Sequence, residues 1–129
     1  MIRFAMFLLI SLLLTGCVSP EKETAYHQIT MDEAISMMAE ESDYVLLDVR
    51  RPDEFEAAHI PGAVNVPNEE IGTGEIPALP HKDQLILVYC RSGNRSKQAS
   101  EKLAALGYTN VVEFGGILDW PGETVPGKE

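Results

Sequence analysis

Cysteine is scarce in this chain, with two among 129 residues, at positions 17 and 90. Histidine is hardly commoner, at three, and tryptophan occurs once. These few cysteines and histidines never fall at the close spacing of a metal site, so no metal centre is expected. No cofactor is expected either. Positive charge is short too. Ten Lys and Arg stand against twenty Asp and Glu, a net charge of −10. Nucleic-acid binding needs a basic footprint and is excluded. An anionic ligand must therefore be held by a local positive site on an acidic body. No internal repeat is present, and no apolar run reaches the ~20 residues of a comfortable membrane span.

The N-terminus has the layout of an export signal. Arg3 precedes a nearly unbroken apolar run over residues 4–14, and small residues then lead to Cys17. The closing LTGC resembles the lipobox of bacterial lipoproteins. That resemblance implies removal of residues 1–16 and lipidation of Cys17. The domain would then be held by lipid at the outer face of the cytoplasmic membrane or in the periplasm. An uncleaved anchor, or ordinary secretory cleavage beside a chance cysteine, are the alternatives. Residues 17–28 are polar and aperiodic and read as a tether. If lipid occupies Cys17, Cys90 is left as a solitary thiol without a disulfide partner.

Residues 29–129 read as one α/β domain. Thr30 and Glu33 fit a capping box at the start of a helix whose apolar positions are Ala34, Met37 and Met38. Residues 44–49 (YVLLDV) and 85–89 (LILVY) are apolar runs without polar alternation, as expected of strands covered on both faces of a parallel sheet. Residues 63–66 and 111–114 are shorter candidates. Ala99, Leu103 and Leu106 form the stripe of a second helix, which Gly107 stops. Residues 67–80, rich in Pro and Gly, read as a loop with one helical turn. Strands alternating with helices indicate a layered domain with a central, mostly parallel sheet.

Cys90 follows a buried-type strand and precedes a helix, in YCRSGNRS. Ligands of such sheets bind at the carboxyl ends of strands. Gly93 allows the loop to turn its amides inward, and amides gathered at a helix start make an anion nest. Those amides and the flanking Arg91 and Arg95 favour the thiolate, so no histidine base is required. Arg95 is suited to bidentate contact with an anionic substrate. The plain alternative is that Cys90 is a small buried hydrophobe.

YCRSGNRS resembles the active-site loop of single-domain rhodaneses, Cys-x-x-Gly-x-Arg between strand and helix. LLDVRRPDEFEAAHIPGAVNVP (46–67) and FGGILDW (114–120) resemble two further signatures of that family, in the family's order. The resemblance implies a three-layer rhodanese-like domain. It implies a sulfurtransferase in which Cys90 attacks a sulfur donor, carries a persulfide and passes the outer sulfur to cyanide or a thiol. Arg91, Ser92, Gly93, Asn94 and Arg95 would cradle the donor and persulfide, and the cation at Arg91 goes with anionic, thiosulfate-like donors. A monomer is expected.

Two rival functions draw on the same residues. Tyrosine phosphatases place their arginine six positions after the cysteine, where this chain has Ser96. Phosphatases and arsenate reductases on this kind of fold use a longer loop. A non-turnover carrier or partner-binding module is the other rival, and retention of Cys90 weighs against it. Asp48 and Arg50, at a strand end, either brace the active loop or are ordinary surface charges. His59 is read as structural, His27 and His81 as solvated, and residues 121–129 as an irregular, partly exposed tail.

Overall fold

The computed structural model describes residues 25–128. The export segment, Cys17 and most of the expected tether lie outside the described residues. Five strands make the central sheet: β1 (His27–Gln28), β2 (Tyr44–Asp48), β3 (Val64–Asn65), β4 (Leu85–Cys90) and β5 (Val111–Gly116). Their spatial order is β1-β5-β4-β2-β3, and every neighbouring pair is parallel.

Side chains alternate across a strand, so β4 serves two cores at once. Ile86, Val88 and Cys90 face a cluster that includes Ala99 and Leu103 of helix α3 (Asn94–Ala105). Leu87 and Tyr89 face the other cluster, with Ala34 of α1 (Met31–Glu40) and Phe55 of α2 (Pro52–Ala57). Helices thus cover both faces, which explains why β2 and β4 lack a polar side. Met31, Met37 and Met38 pack against the α1 side as partly buried filling.

Local chemistry sets the helix starts. Thr30 Oγ1 accepts the Glu33 amide at 3.1 Å and Glu33 reaches back to the Thr30 amide, the expected capping box. Pro52 opens α2, where a missing N–H costs nothing. The 67–80 loop contains a single 3-10 turn, Asn68–Glu70, and buries Ile71, Ile76 and Leu79 over the α3 face. Lys102 Nζ donates to both the carbonyl and side-chain oxygens of Asn68, fastening that loop to α3. The exposed tail exchanges two backbone hydrogen bonds at 2.9 Å between Val125 and His59.

The domain starts earlier than Ile29. His27 and Gln28 pair with Val112 and Glu113 at the sheet edge, and Tyr26 is only 7% exposed in the core. A two-residue edge strand has too few positions to show alternation, so these residues resemble tether in sequence alone.

The Tyr26→Ala chain is expected to be about 3 kcal/mol less stable to urea, as for loss of a buried aromatic ring. An unchanged midpoint would return Tyr26 to the tether.

Candidate active site

β4 delivers Cys90 to the carboxyl edge of the sheet, on the α3 face, and α3 begins four positions later at Asn94. Gly93 makes so tight a connection feasible. Its φ of +112° lies in the left-handed region that side-chain-bearing residues avoid. In that conformation the Gly93 amide donates to Cys90 Sγ at 3.0 Å. That amide and the N-terminal dipole of helix α3 both present positive partial charge to the sulfur.

The loop is held from β5 by close backbone contact. A Cβ on Gly116 would collide with the Arg91 carbonyl and the Ser92 amide, so only glycine fits there. Just beyond, Leu118 N–H donates to the Arg91 carbonyl at 3.2 Å. The FGG motif is therefore a backing plate for the cysteine loop.

Cys90 is 1% exposed, so its sulfur lies at the floor of the loop rather than on the protein surface. Around it, Arg91, Ser92 and Asn94 are exposed. Arg91 enters no ion pair among the described residues. Arg95 has a different surrounding. Its guanidinium donates to both carboxylate oxygens of Glu54 on α2, at 2.6 and 3.1 Å. The fork expected to meet a substrate anion is engaged by a protein carboxylate, tying the loop to α2. Arg95 holds the Glu54 carboxyl down at about 2, against an ordinary 4.5, mainly through that hydrogen bond.

Asp48 and Arg50 form a buried pair, with Arg50 Nη2 2.7 Å from Asp48 Oδ2. They are not surface charges. Nor does Arg50 reach the cysteine loop among its hydrogen bonds: Nη2 donates to the Ala58 carbonyl at 2.6 Å and so fixes the end of α2. Asn65 closes the corner by donating to the carbonyls of Asp48 and Arg50, both at 2.9 Å. His59 is buried, stacks on Phe55 at 3.8 Å, and places Nδ1 2.9 Å from the Phe55 carbonyl. That carbonyl can only accept, so Nδ1 carries the proton and the ring is structural.

Three side chains near the loop were not singled out from sequence. Glu54 lies in a helix too short to show a pattern. Ser96 and Glu113 meet beneath the loop, where Ser96 Oγ is 2.6 Å from Glu113 Oε1 and 3.4 Å from Cys90 Sγ. A glutamate in the VVEF run, alternating with Val111 on the α3 face, was the available signal.

A concavity of about 850 Å³ lies elsewhere. His27, His81, Asp83, Gln84 and Asn110 line it at the opposite edge of the sheet. His27 and His81 are exposed there. Among the described residues no three His, Cys, Asp or Glu side chains converge as metal ligands.

A parallel α/β sheet that ends one strand in a cysteine, cradled by a glycine-turned loop at a helix start, defines a rhodanese-like domain. The family model for the Rhodanese-like domain matches residues 30–123. This chain belongs to that family. It is 40% identical over 73 residues to thiosulfate sulfurtransferase PspE of Escherichia coli K12, covering 57% of this chain and 70% of that one. It is 35% identical over 103 residues to a sulfurtransferase of Allochromatium vinosum, covering 78% and 92% respectively. A solved E. coli structure, described as rhodanese with anions, superposes with TM-score 0.60 at 37% identity, over 65% of this chain and 99% of that one. Against the longer adenylyltransferase and sulfurtransferase UBA4 of Meyerozyma guilliermondii, 40% identical over 90 residues, the match spans 64% of this chain and 21% of that protein. The chain is thus a rhodanese-like sulfurtransferase domain by family.

Because the Glu54 carboxyl is held below its ordinary value, its pairing stabilises the folded state fully above about 4.5. That contribution fades as pH falls from there toward about 2. Glu54→Gln is therefore expected to lower stability by about 1 kcal/mol at neutral pH. Unfolding measured across acid pH should show the difference from wild type closing within that window.

Proposed function

We propose that this protein transfers a sulfane sulfur from a thiosulfate-like donor to cyanide or a thiol acceptor through a Cys90 persulfide. The observation that carries the reading is the 3.0 Å hydrogen bond from the Gly93 amide to Cys90 Sγ. A sulfur so held is prepared to bear negative charge, which both halves of the reaction demand.

In the first half, the Cys90 thiolate attacks the outer sulfur of thiosulfate. A bond forms between Sγ and that sulfur, the donor's S–S bond breaks, and sulfite leaves with the electron pair. The persulfide retains one negative charge. In the second half, cyanide or a thiolate attacks the outer sulfur, the S–S bond to Sγ breaks, and the Cys90 thiolate is restored. The protein's part is electrostatic and positional: the Gly93 amide and the α3 dipole receive the charge, and exposed Arg91 meets the anionic donor.

Enclosure supports sulfur over phosphate as the transferred group. Sγ lies at the loop floor, and a terminal sulfane sulfur is one slender atom, whereas a phosphoryl group brings three oxygens. Once transferred, the outer sulfur stands about 2 Å beyond Sγ, nearer the acceptor. The printed name of the PspE relative, a thiosulfate sulfurtransferase, points to the same donor class.

We further place the domain outside the cytoplasm, anchored through lipid on Cys17, on the strength of the LTGC context. Detergent-phase partitioning of the expressed full chain, lost in Cys17→Ser, is the expected outcome. Equal partitioning of both would remove the anchor.

Intact-mass analysis after thiosulfate exposure is expected to show one added sulfur on Cys90, discharged by cyanide and absent in Cys90→Ser. Arg91→Ala should raise the KM for thiosulfate about tenfold with little change in kcat, as for a loss of one charge-assisted contact. Absence of the adduct together with hydrolysis of an aryl phosphate would replace this reading with a phosphatase. Absence of both would leave a partner-binding module.

A further inference from the structure

Glu113 is a charged residue in a place built for an apolar one. It alternates with Val111 on the α3 face of β5 and is 3% exposed. No ion pair reaches it among the described residues. Its Oε1 accepts the Gly115 amide at 2.8 Å and the Ser96 hydroxyl at 2.6 Å. Gln28 of β1 approaches Oε2 at 3.4 Å. Ser96 is fully buried and touches Cys90 Sγ at 3.4 Å.

Ser96 has one proton to give, and the shortest acceptor in its reach is Glu113 Oε1. With that proton directed to Glu113, the Ser96 oxygen presents a lone pair toward Cys90, which matches an S–H donor. The three groups thus line up as thiol, hydroxyl and carboxylate, all shielded from solvent.

We propose that Glu113 takes up the Cys90 proton through Ser96, a built-in proton acceptor that stands in for a histidine base. The Sγ–H bond breaks with its electron pair left on sulfur. That proton passes to Ser96 Oγ, whose own proton passes to Glu113 Oε1. A thiol and a carboxylate become a thiolate and a carboxylic acid, so the pocket carries one negative charge before and after. The alternative arrangement, a charged Glu113 beside a thiolate, would bring two like charges together in a low-dielectric site.

Other groups around the relay do not perform its task. Tyr26, ahead of β1, feels the Glu113 charge, and burial first, then Glu101 and Glu113, push its phenol up. Arg95 faces the site from α3 but is taken by Glu54. Gly93 adds its amide to sulfur and has no side chain. Glu113 is accordingly a positioning residue that works through Ser96 and does not itself touch the donor.

The relay rests on Cys90 being the nucleophile of the sulfurtransferase reading, and it is testable without any sulfur donor. In the full chain, the rate at which iodoacetamide labels Cys90 is followed by mass analysis of its peptide, which keeps Cys17 apart. Glu113→Gln keeps an acceptor for Ser96 and Gly115 but cannot take a proton at neutral pH. Its labelling at pH 7 is expected to fall at least about tenfold, because the thiolate is the reacting form. Its rate should keep climbing with pH where wild type has levelled. A rate equal to wild type, or a faster one from removal of a repelling charge, overturns the relay. Should Glu113→Gln fail to fold, Ser96→Ala breaks the middle link and carries the same expectation and the same contrary outcomes. Wild type that labels rapidly yet gains no sulfur from thiosulfate would sink the sulfurtransferase reading and leave the relay standing. Ready sulfur uptake by both wild type and Glu113→Gln, at equal rates, would do the reverse.

Discussion

The hydrogen bond from the Gly93 amide to the Cys90 sulfur depends on a backbone angle that a side chain would strain. Much of the site follows from that one turn. It starts α3 immediately behind the cysteine, bringing Ser96 under the sulfur after a single helical turn. It also lays the Arg91–Ser92 backbone against Gly116, where there is no room for a Cβ. The register shift between β4 and β5 belongs to the same arrangement. Val88 pairs with Glu113 but Cys90 with Gly116, so β5 carries an extra residue where it passes the loop.

Rigidity around the loop comes from separate elements. Glu54 reaches it from α2, Gly116 and Leu118 back it from β5 and the following turn, and Ser96 links it to β5 through Glu113. The position of α2 depends in turn on the buried Asp48–Arg50 pair, because Arg50 holds the Ala58 carbonyl at the helix end. Removing one partner of such a pair costs about 3–5 kcal/mol, since the other is left charged and buried. The bonds of Asp48 and Arg50 thus reach α2, and α2 meets the cysteine loop only through the Glu54–Arg95 pair. Tyr89 strengthens the corner, its hydroxyl accepting the Ile60 amide at 3.1 Å.

How much was legible beforehand follows from how many residues each feature uses. β2 and β4 announce themselves because five or six consecutive buried or half-buried positions leave no polar side. The α1 capping box and the α3 stripe are local patterns and appear where the residues place them. The cysteine loop was legible from Cys90, Gly93 and their neighbours. β1 and α2 were not, because a two-residue strand and a six-residue helix with one buried side chain carry no period. The engagement of Arg95 was hidden for a different reason. Glu54 lies 41 positions away, and nothing local tells a free guanidinium from a paired one. Glu113 was visible only as an oddity, a carboxylate on the inner face of a strand.

An acidic protein of net −10 is proposed to bind a dianion beside a buried carboxylate. Long-range attraction cannot supply that binding, because the summed field of the surface repels anions. Of the two loop arginines, Arg95 is neutralised by Glu54, which leaves its planar fork to hold the loop's shape. Arg91, exposed and unpaired among the described residues, is the loop cation left for the anion selection proposed for this site. Division of labour between two arginines four positions apart thus lets the loop stay rigid while attraction remains confined to its mouth. A neutral residue at position 91 would keep the nucleophile, its amide donor and its backing glycine. It would lose the feature that distinguishes an anionic donor from an uncharged one.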